Sequence, residues 1–441
     1  MALVKPINLL LISFVIWLLA FLTIPATYIN LGDSVWFAVF TLVVFNILFV
    51  LGLKSIKSVK VRPQYISNQK KQLLVVLLFA VGVSGVLVRI YQRLIIQGIY
   101  FADNLVKTRM ELLAQEGGSG LLGVFSAVTY PFATIALMLA ILWYKNMNKA
   151  FFVLVALFGL FPIADSILTE SRLLIVFVGV MLLITFLASG ISFFKSHTSI
   201  KIYSHHLFKL PSILLKKKVW IPTVVLLIGF IIFSQKVVNN RLAAFNYYDT
   251  IRIWEFYHDS KMDSDFKYNV RNSKNTLEKN KLMSAYSLKH YFAHSVAEYI
   301  RLISHLDKSW GYYYGMFEFY TYFKFLKIIG INIPSFADLN EVSYKPAVYT
   351  TFWGPFFIDF GVFGFVFSFL LGRFTQRTYL KAKQGSEVNI LVYAFLGVVV
   401  LASFFVNFAM GGNLYFLTAI ILTVILIRYW PNKLVVRKDE I

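Results

Sequence analysis

Stretches such as INLLLISFVIWLLAFLTI (7–24) and VWFAVFTLVVFNILFVLGL (35–53) decide what this chain can fold into. Each run is nearly free of charge and long enough, at about 18 residues, to cross a hydrocarbon core of roughly 30 Å as a helix. Such runs recur along the whole sequence. With 58% hydrophobic residues among 441 and a mean hydropathy of +0.69, no water-soluble core could hold them. A transmembrane β-barrel would show short alternating strands instead. The fold class is therefore all-α: a polytopic integral membrane protein with about ten transmembrane helices. They are expected near 7–25, 34–53, 72–90, 121–144, 150–168, 172–194, 219–235, 352–372, 389–408 and 412–429. The first has a single Lys before it and no small-residue cleavage site, so it reads as an uncleaved helix.

Loop charge sets the orientation. Residues 54–71 carry Lys54, Lys57, Lys60, Arg62, Lys70 and Lys71 without an acid, and 195–218 carry six Lys without an acid. Residues 145–149, 373–388 and the C-terminal tail are also basic. With ten spans all five segments fall on one side, the cytoplasm by the positive-inside rule, and both termini lie there. The net charge of +22 is accounted for in this way, so no nucleic-acid partner is expected. Cysteine is absent, which excludes disulfides, thiolate nucleophiles and Cys-ligated metals.

The chain divides into 1–235 (seven spans, with an amphipathic outer segment at 91–120), a large, partly helical outer loop at 236–351, and 352–441 (three spans and a tail). Loops as long as 236–351 are uncommon without a function. Its Ser/Asn/Lys-rich patch at 264–280 reads as a flexible excursion.

Within that loop, HYFAHSVAEYIRLISH (290–305) carries His290, His294, Glu298, Arg301 and His305. On a helix at about 100° per residue these five share an arc of roughly 80°. The stripe admits three readings: a solvated polar face, the wall of a wet cavity facing an anionic or sugar ligand, or a metal site. The metal reading is weakened by geometry, because i and i+8 lie about 12 Å apart on a straight helix. Arginines near outer span ends form a second group: Arg109, Arg172, Arg241 and Arg252, with Arg301 further on. Guanidinium matches phosphate bidentately, so their convergence would suit a diphosphate; pairing with Glu170, Asp249 or Glu255 is the plainer alternative. Asp359, several residues inside a span, is a third candidate, either functional or interfacial. Gly361 and Gly364 beside it permit close helix approach. Pro131 and Pro162 read as kinks, and Asp165 could share an outer cavity with Arg172. No Walker sequence or phosphate-cradling Gly loop is present, so an activated substrate would arrive already embedded in the membrane.

The layout, ESRLLIV opening a span, the segment GYYYGMFEFYTYFKFLKIIG and the DFG at 359–361 before a Gly-rich span resemble the oligosaccharide repeat-unit polymerases of O-antigen and capsule synthesis. The resemblance implies transfer of a growing glycan from undecaprenyl diphosphate to a newly flipped lipid-linked repeat unit, in the inner membrane, without metal or cofactor. It implies diphosphate contacts from Arg172, Arg241, Arg109, Arg301 and Arg252. It also implies a base among His294, His290, Glu298 and Asp359, with aromatic residues stacking on sugars. A chain-length regulator and a flippase would be partners. An O-antigen ligase or other lipid-linked glycan transferase is the nearest rival. A flippase or transporter is the other, although that class favours internal repeats and several deep charges.

Overall fold

The computed structural model describes residues 4–60, 66–101, 121–169, 172–193, 232–273 (without 234 and 241–246), 275–306, 313–335, 338, 339, 342, 345 and 348–429. In chain order the helices are α1 (Pro6–Thr23), α2 (Val35–Lys54), α3 (Asn68–Tyr91), α4 (Leu121–Thr129), α5 (Pro131–Leu142), α6 (Lys149–Gly159), α7 (Phe161–Leu168) and α8 (Leu173–Phe193). They continue as α9 (Tyr247–Tyr257), α10 (Ser264–Asn272), α11 (Thr276–His305), α12 (Tyr320–Phe323), α13 (Trp353–Phe360), α14 (Gly364–Lys383), α15 (Glu387–Ala402) and α16 (Leu414–Tyr429). Two three-residue strands, β1 (Ala26–Tyr28) and β2 (Ser260–Met262), pair antiparallel and are the departure from an all-α chain.

Among the described residues seven helical stretches are long and apolar enough to cross a membrane: Pro6–Thr23, Val35–Lys54, Asn68–Ile96, Leu121–Leu142, Lys149–Leu168, Trp353–Lys383 and Gly411–Tyr429. Leu173–Ser189 and Glu387–Ala402 are apolar but shorter. This is a polytopic helical membrane protein. The expected span at 219–235 falls almost wholly outside the described residues, as does most of the 91–120 segment. The chain bends at both expected positions: one residue of helical φ/ψ, Tyr130, joins α4 to Pro131 at the start of α5, and Leu160 joins α6 to α7, where Pro162 is the second residue. The patch expected to be a flexible excursion instead forms α10 and the first turn of α11, where the Asn275 side chain accepts from the Glu278 N–H.

Small residues set the tightest packing. A Cβ on Gly52 would lie 2.1 Å from the Phe369 carbonyl, and one on Gly372 2.1 Å from the Phe49 carbonyl. These two glycines let α2 and α14 touch backbone to backbone. Ser368 of α14 donates to the Phe45 carbonyl of α2 at the same contact.

Residues 247–305 gather on the end of the bundle where α1 stops and α2 starts. β2 pairs with β1 immediately after α1, in the register Ala26↔Met262 and Tyr28↔Ser260. Helix α11 lies across the ends of α1 and α2. Lys289 donates to the Thr23 carbonyl, Tyr299 and Thr41 share a hydrogen bond of 2.8 Å, and Ser295 donates to the Phe404 carbonyl.

Candidate functional site

The polar stripe of α11 is buried. His290, His294, Glu298 and Arg301 are between 0 and 7% exposed, and only His305 reaches the surface. Helix α11 carries apolar residues on its other face, so from Ala293 to Ile303 it is buried all round. The solvated-face reading fails because β1, β2 and the turn before β2 cover the charged side.

Arg301 explains how a full charge is tolerated there. Its Nη1 donates to Glu298 Oε1 at 2.5 Å. Its Nε and Nη2 donate to the Ile29 carbonyl at 3.1 and 2.8 Å, and Nη2 also donates to the Asp259 carbonyl at 2.8 Å. Asn30 and Asp259, beside these carbonyls, both hold positive φ, a region that residues with a Cβ rarely adopt. Two strained turns are thus pinned by one guanidinium, which is engaged by protein acceptors rather than offered to a ligand.

The imidazoles form a cluster. His258, in the turn before β2, lies 4.2 Å from His290 and 5.3 Å from His294, ring centre to ring centre. Burial lowers His258 to about 3 and His294 to about 4, and pushes His290 well below its ordinary value. All three are therefore neutral at neutral pH. His294 Nδ1 sits 2.8 Å from the His290 carbonyl, which can only accept, so Nδ1 carries the proton and Nε2 the lone pair. Burial raises Glu298 to about 7, with the Arg301 charge pulling the other way. The rings of His290 and His294 are stacked at 13° rather than aimed at one point. Among the described residues no group of His, Asp and Glu is arranged to hold a metal ion.

Arg172, at the start of α8, reaches the same helix. It is half-buried, with its guanidinium carbon 5.5 Å from the centre of the Tyr291 ring. Tyr291 in turn lies 6.4 Å from His294 and 6.5 Å from Tyr349. A cavity of about 40 Å³ separates Arg172 from α11 and is lined by Tyr291, Phe292 and Phe405. That is room for a water molecule. Arg172 and His294, far apart in sequence, thus both approach one tyrosine ring.

Asp359 is fully buried, but not beside these groups. Its two carboxylate oxygens accept from the N–H groups of Phe317 and Glu318, each at 2.9 Å, and its carbonyl accepts from Tyr314. It holds the turn at 313–319, which contains Gly315 with φ of +91°. Glu318, one of the residues so held, was not apparent from sequence, where it is hidden in an aromatic run. It is 1% exposed, accepts from Asn407 Nδ2 through Oε2, and has no partner for Oε1 among the described residues. Burial, then the neighbouring Asp359, pushes its carboxyl well above the usual range.

Asp165 does not pair with Arg172. It accepts from the Tyr100 hydroxyl at 2.7 Å and lies 3.7 and 3.8 Å from the Nε atoms of Arg89 and Arg93. These arginines flank the start of a one-turn π-helix, Gln92–Ile96. The spacing i, i+4 with an acid opposite was the available signal for this second cationic group. Arg252 is exposed on α9. Arg109 and Arg241 lie outside the described residues.

Comparison of the chain with protein-family models, curated proteins and solved structures gave no match. The site therefore rests on its own geometry, in a protein whose class is a helical, multi-pass membrane protein.

Proposed function

We propose that this protein is a repeat-unit polymerase, joining undecaprenyl-diphosphate-linked oligosaccharides into a surface polysaccharide on the outer face of the bacterial cytoplasmic membrane. The observation that carries the reading is the Arg172–Tyr291–His294 arrangement beside a membrane-embedded bundle. The reaction needs positive charge for a departing diphosphate and a base for an acceptor hydroxyl. Arg172 supplies the first, half-exposed at the head of an apolar helix. His294 is neutral, and its fixed tautomer leaves Nε2 as the basic atom. The clustered tyrosines offer faces on which sugars stack. Arg301 and Asp359 act as scaffold in this reading, since backbone groups occupy them. Arg109 and Arg241 keep the role of diphosphate ligands that the resemblance gives them. The side bearing β1 and α11 is then the outer side.

The test is a deletion strain with its surface glycan resolved on a gel, complemented by Arg172→Ala or His294→Gln. A polymerase leaves one-repeat species and no ladder. Loss of every species would instead indicate a ligase or flippase, and an unchanged ladder would remove the glycan reading. Arg172→Ala, expressed and inserted normally, is expected to fail to restore the ladder.

A further inference from the structure

A crevice of about 1,040 Å³ runs between α1 and α2, floored by Val296, Ala297 and Ile300 of α11. Its walls are apolar, with Leu11, Phe14, Trp17, Val43 and Ile47 among them, and no acidic residue lines it. The crevice is open along its length. Leu11, Val43 and Ile47 are 54, 48 and 52% exposed, on helices that pass the test of length and hydropathy for membrane spans. The surroundings of such an opening are hydrocarbon, so its filling is hydrocarbon too. Along α2 the lining reaches from Val39 to Lys54, about 22 Å at 1.5 Å per residue. That exceeds the roughly 15 Å of one leaflet.

The two ends differ in charge. At one end the only charged lining residue is Lys54, exposed, at the last turn of α2, with no carboxylate partner among the described residues. Lys57 and Lys60 follow it in the chain. At the other end the lining is Ala26, Thr27 and Tyr28. The nearest guanidinium there, Arg301, is engaged by Glu298 and two carbonyls. The lysines nearest the second end, Lys261 opposite Thr27 on β2 and Lys289 at the Thr23 carbonyl, do not line the crevice, so Lys54 is the one cation in its lining among the described residues.

We propose that this crevice binds an acyl chain of an anionic phospholipid from the leaflet on the Lys54 side, with the lipid phosphate drawn to the Lys54 ammonium. The site is separate from the Arg172–His294 arrangement and does not depend on the polymerase reading. Phospholipid chemistry fits through both halves: an unbranched chain for an aliphatic and aromatic slot, and a phosphate for a basic rim.

Trp17 provides a probe, because it lines the crevice and can be quenched by bromine on a lipid chain. The full-length protein would be placed in phosphatidylcholine nanodiscs. Either phosphatidylglycerol or phosphatidylcholine with brominated chains would then be titrated in. Subtracting the Trp17→Phe signal isolates this tryptophan. Trp17 is expected to be quenched several-fold more steeply by the brominated phosphatidylglycerol. Lys54→Gln, an exposed substitution, should bring the two lipids together. Ala297→Leu, which narrows the floor, should reduce quenching by both. Equal quenching in the parent protein, no quenching of Trp17, or selectivity that survives Lys54→Gln would each overturn the proposal. So would stronger quenching by a brominated polyprenyl diphosphate, which would make the crevice a slot for a longer lipid entering from the other side.

Discussion

Two places in this molecule bury a charge to hold irregular backbone, and they do so with opposite signs. On α11, Arg301 donates to the carbonyls of Ile29 and Asp259. At the end of α13, Asp359 accepts from the amides of Phe317 and Glu318. Both segments lie close to the bundle, where unpaired peptide groups are costly. The difference lies in the neighbours. Arg301 has a counter-ion, Glu298, three residues away on its own helix. Asp359 has a second acid, Glu318, beside it, and that acid is driven toward its neutral form. Around Arg301 the charge is matched; around Asp359 repulsion is avoided by retaining a proton.

The largest expected effect breaks the matched side. Arg301→Met strands Glu298 and two carbonyls, and should cost about 3–5 kcal/mol, as breaking buried ion pairs does. Thermal unfolding in detergent measures it. Adding Glu298→Gln should return part of the loss, and no recovery would show that the pinned carbonyls dominate. On the other side, Asp359→Asn turns one acceptor into a donor facing an N–H. It should cost about 1–3 kcal/mol. Glu318→Gln should be nearly silent at acid pH, where the carboxyl is protonated in both states, and should stabilise the fold at neutral pH, where the native chain retains a proton that the unfolded chain has released. A large loss from Glu318→Gln would mean that the carboxylate is ionised.

pH separates the histidines near Arg301 from the two raised carboxyls, Glu298 beside them and Glu318 in the other region. The histidines near Arg301 have lowered values, so between about pH 4.5 and 6.5 the unfolded chain binds more protons at them than the native one. Their contribution to stability therefore rises with pH. Glu318 is raised, so the native chain keeps a proton that the unfolded chain has lost, and its contribution falls with pH. Relative to the parent, His258→Gln should flatten the rise of stability across this range, and Glu318→Gln should steepen it. Each change amounts to about one proton, or ~1.4 kcal/mol per pH unit. Equal slopes in both variants would show that the two sites are open to water. The smallest stability effect is expected at Arg172, half-exposed over Tyr291. Tyr291→Leu removes the cation–π contact and should cost Arg172 only about 0.5–1 kcal/mol.

The apolar runs made the spans legible, because length and hydropathy are local properties. The α11 stripe was legible for the same reason, being a periodicity. What covered it was not: Arg301 finds its acceptors 272 and 42 residues away, on carbonyls that carry no side-chain signature. Asp359 was legible as a buried carboxylate, but its hold on the turn at 313–319 depends on backbone amides and its acid neighbour on a long-range contact. Asp165 was read as a possible neighbour of Arg172 in an outer cavity; its partners, Arg89 at the end of α3 and Arg93 in the π-turn after it, could not be read, since helix order in space does not follow helix order in sequence.

The seam between α2 and α14 has a consequence for manufacture. The residues that close it, Phe45 and Ser368, are 323 positions apart. At the usual pace of roughly 5–20 residues per second, a ribosome needs on the order of 15–65 s to supply the second after the first. Through that interval the glycine notch of α2 faces lipid or an insertion factor, so an early span waits for a late one before the bundle can shut.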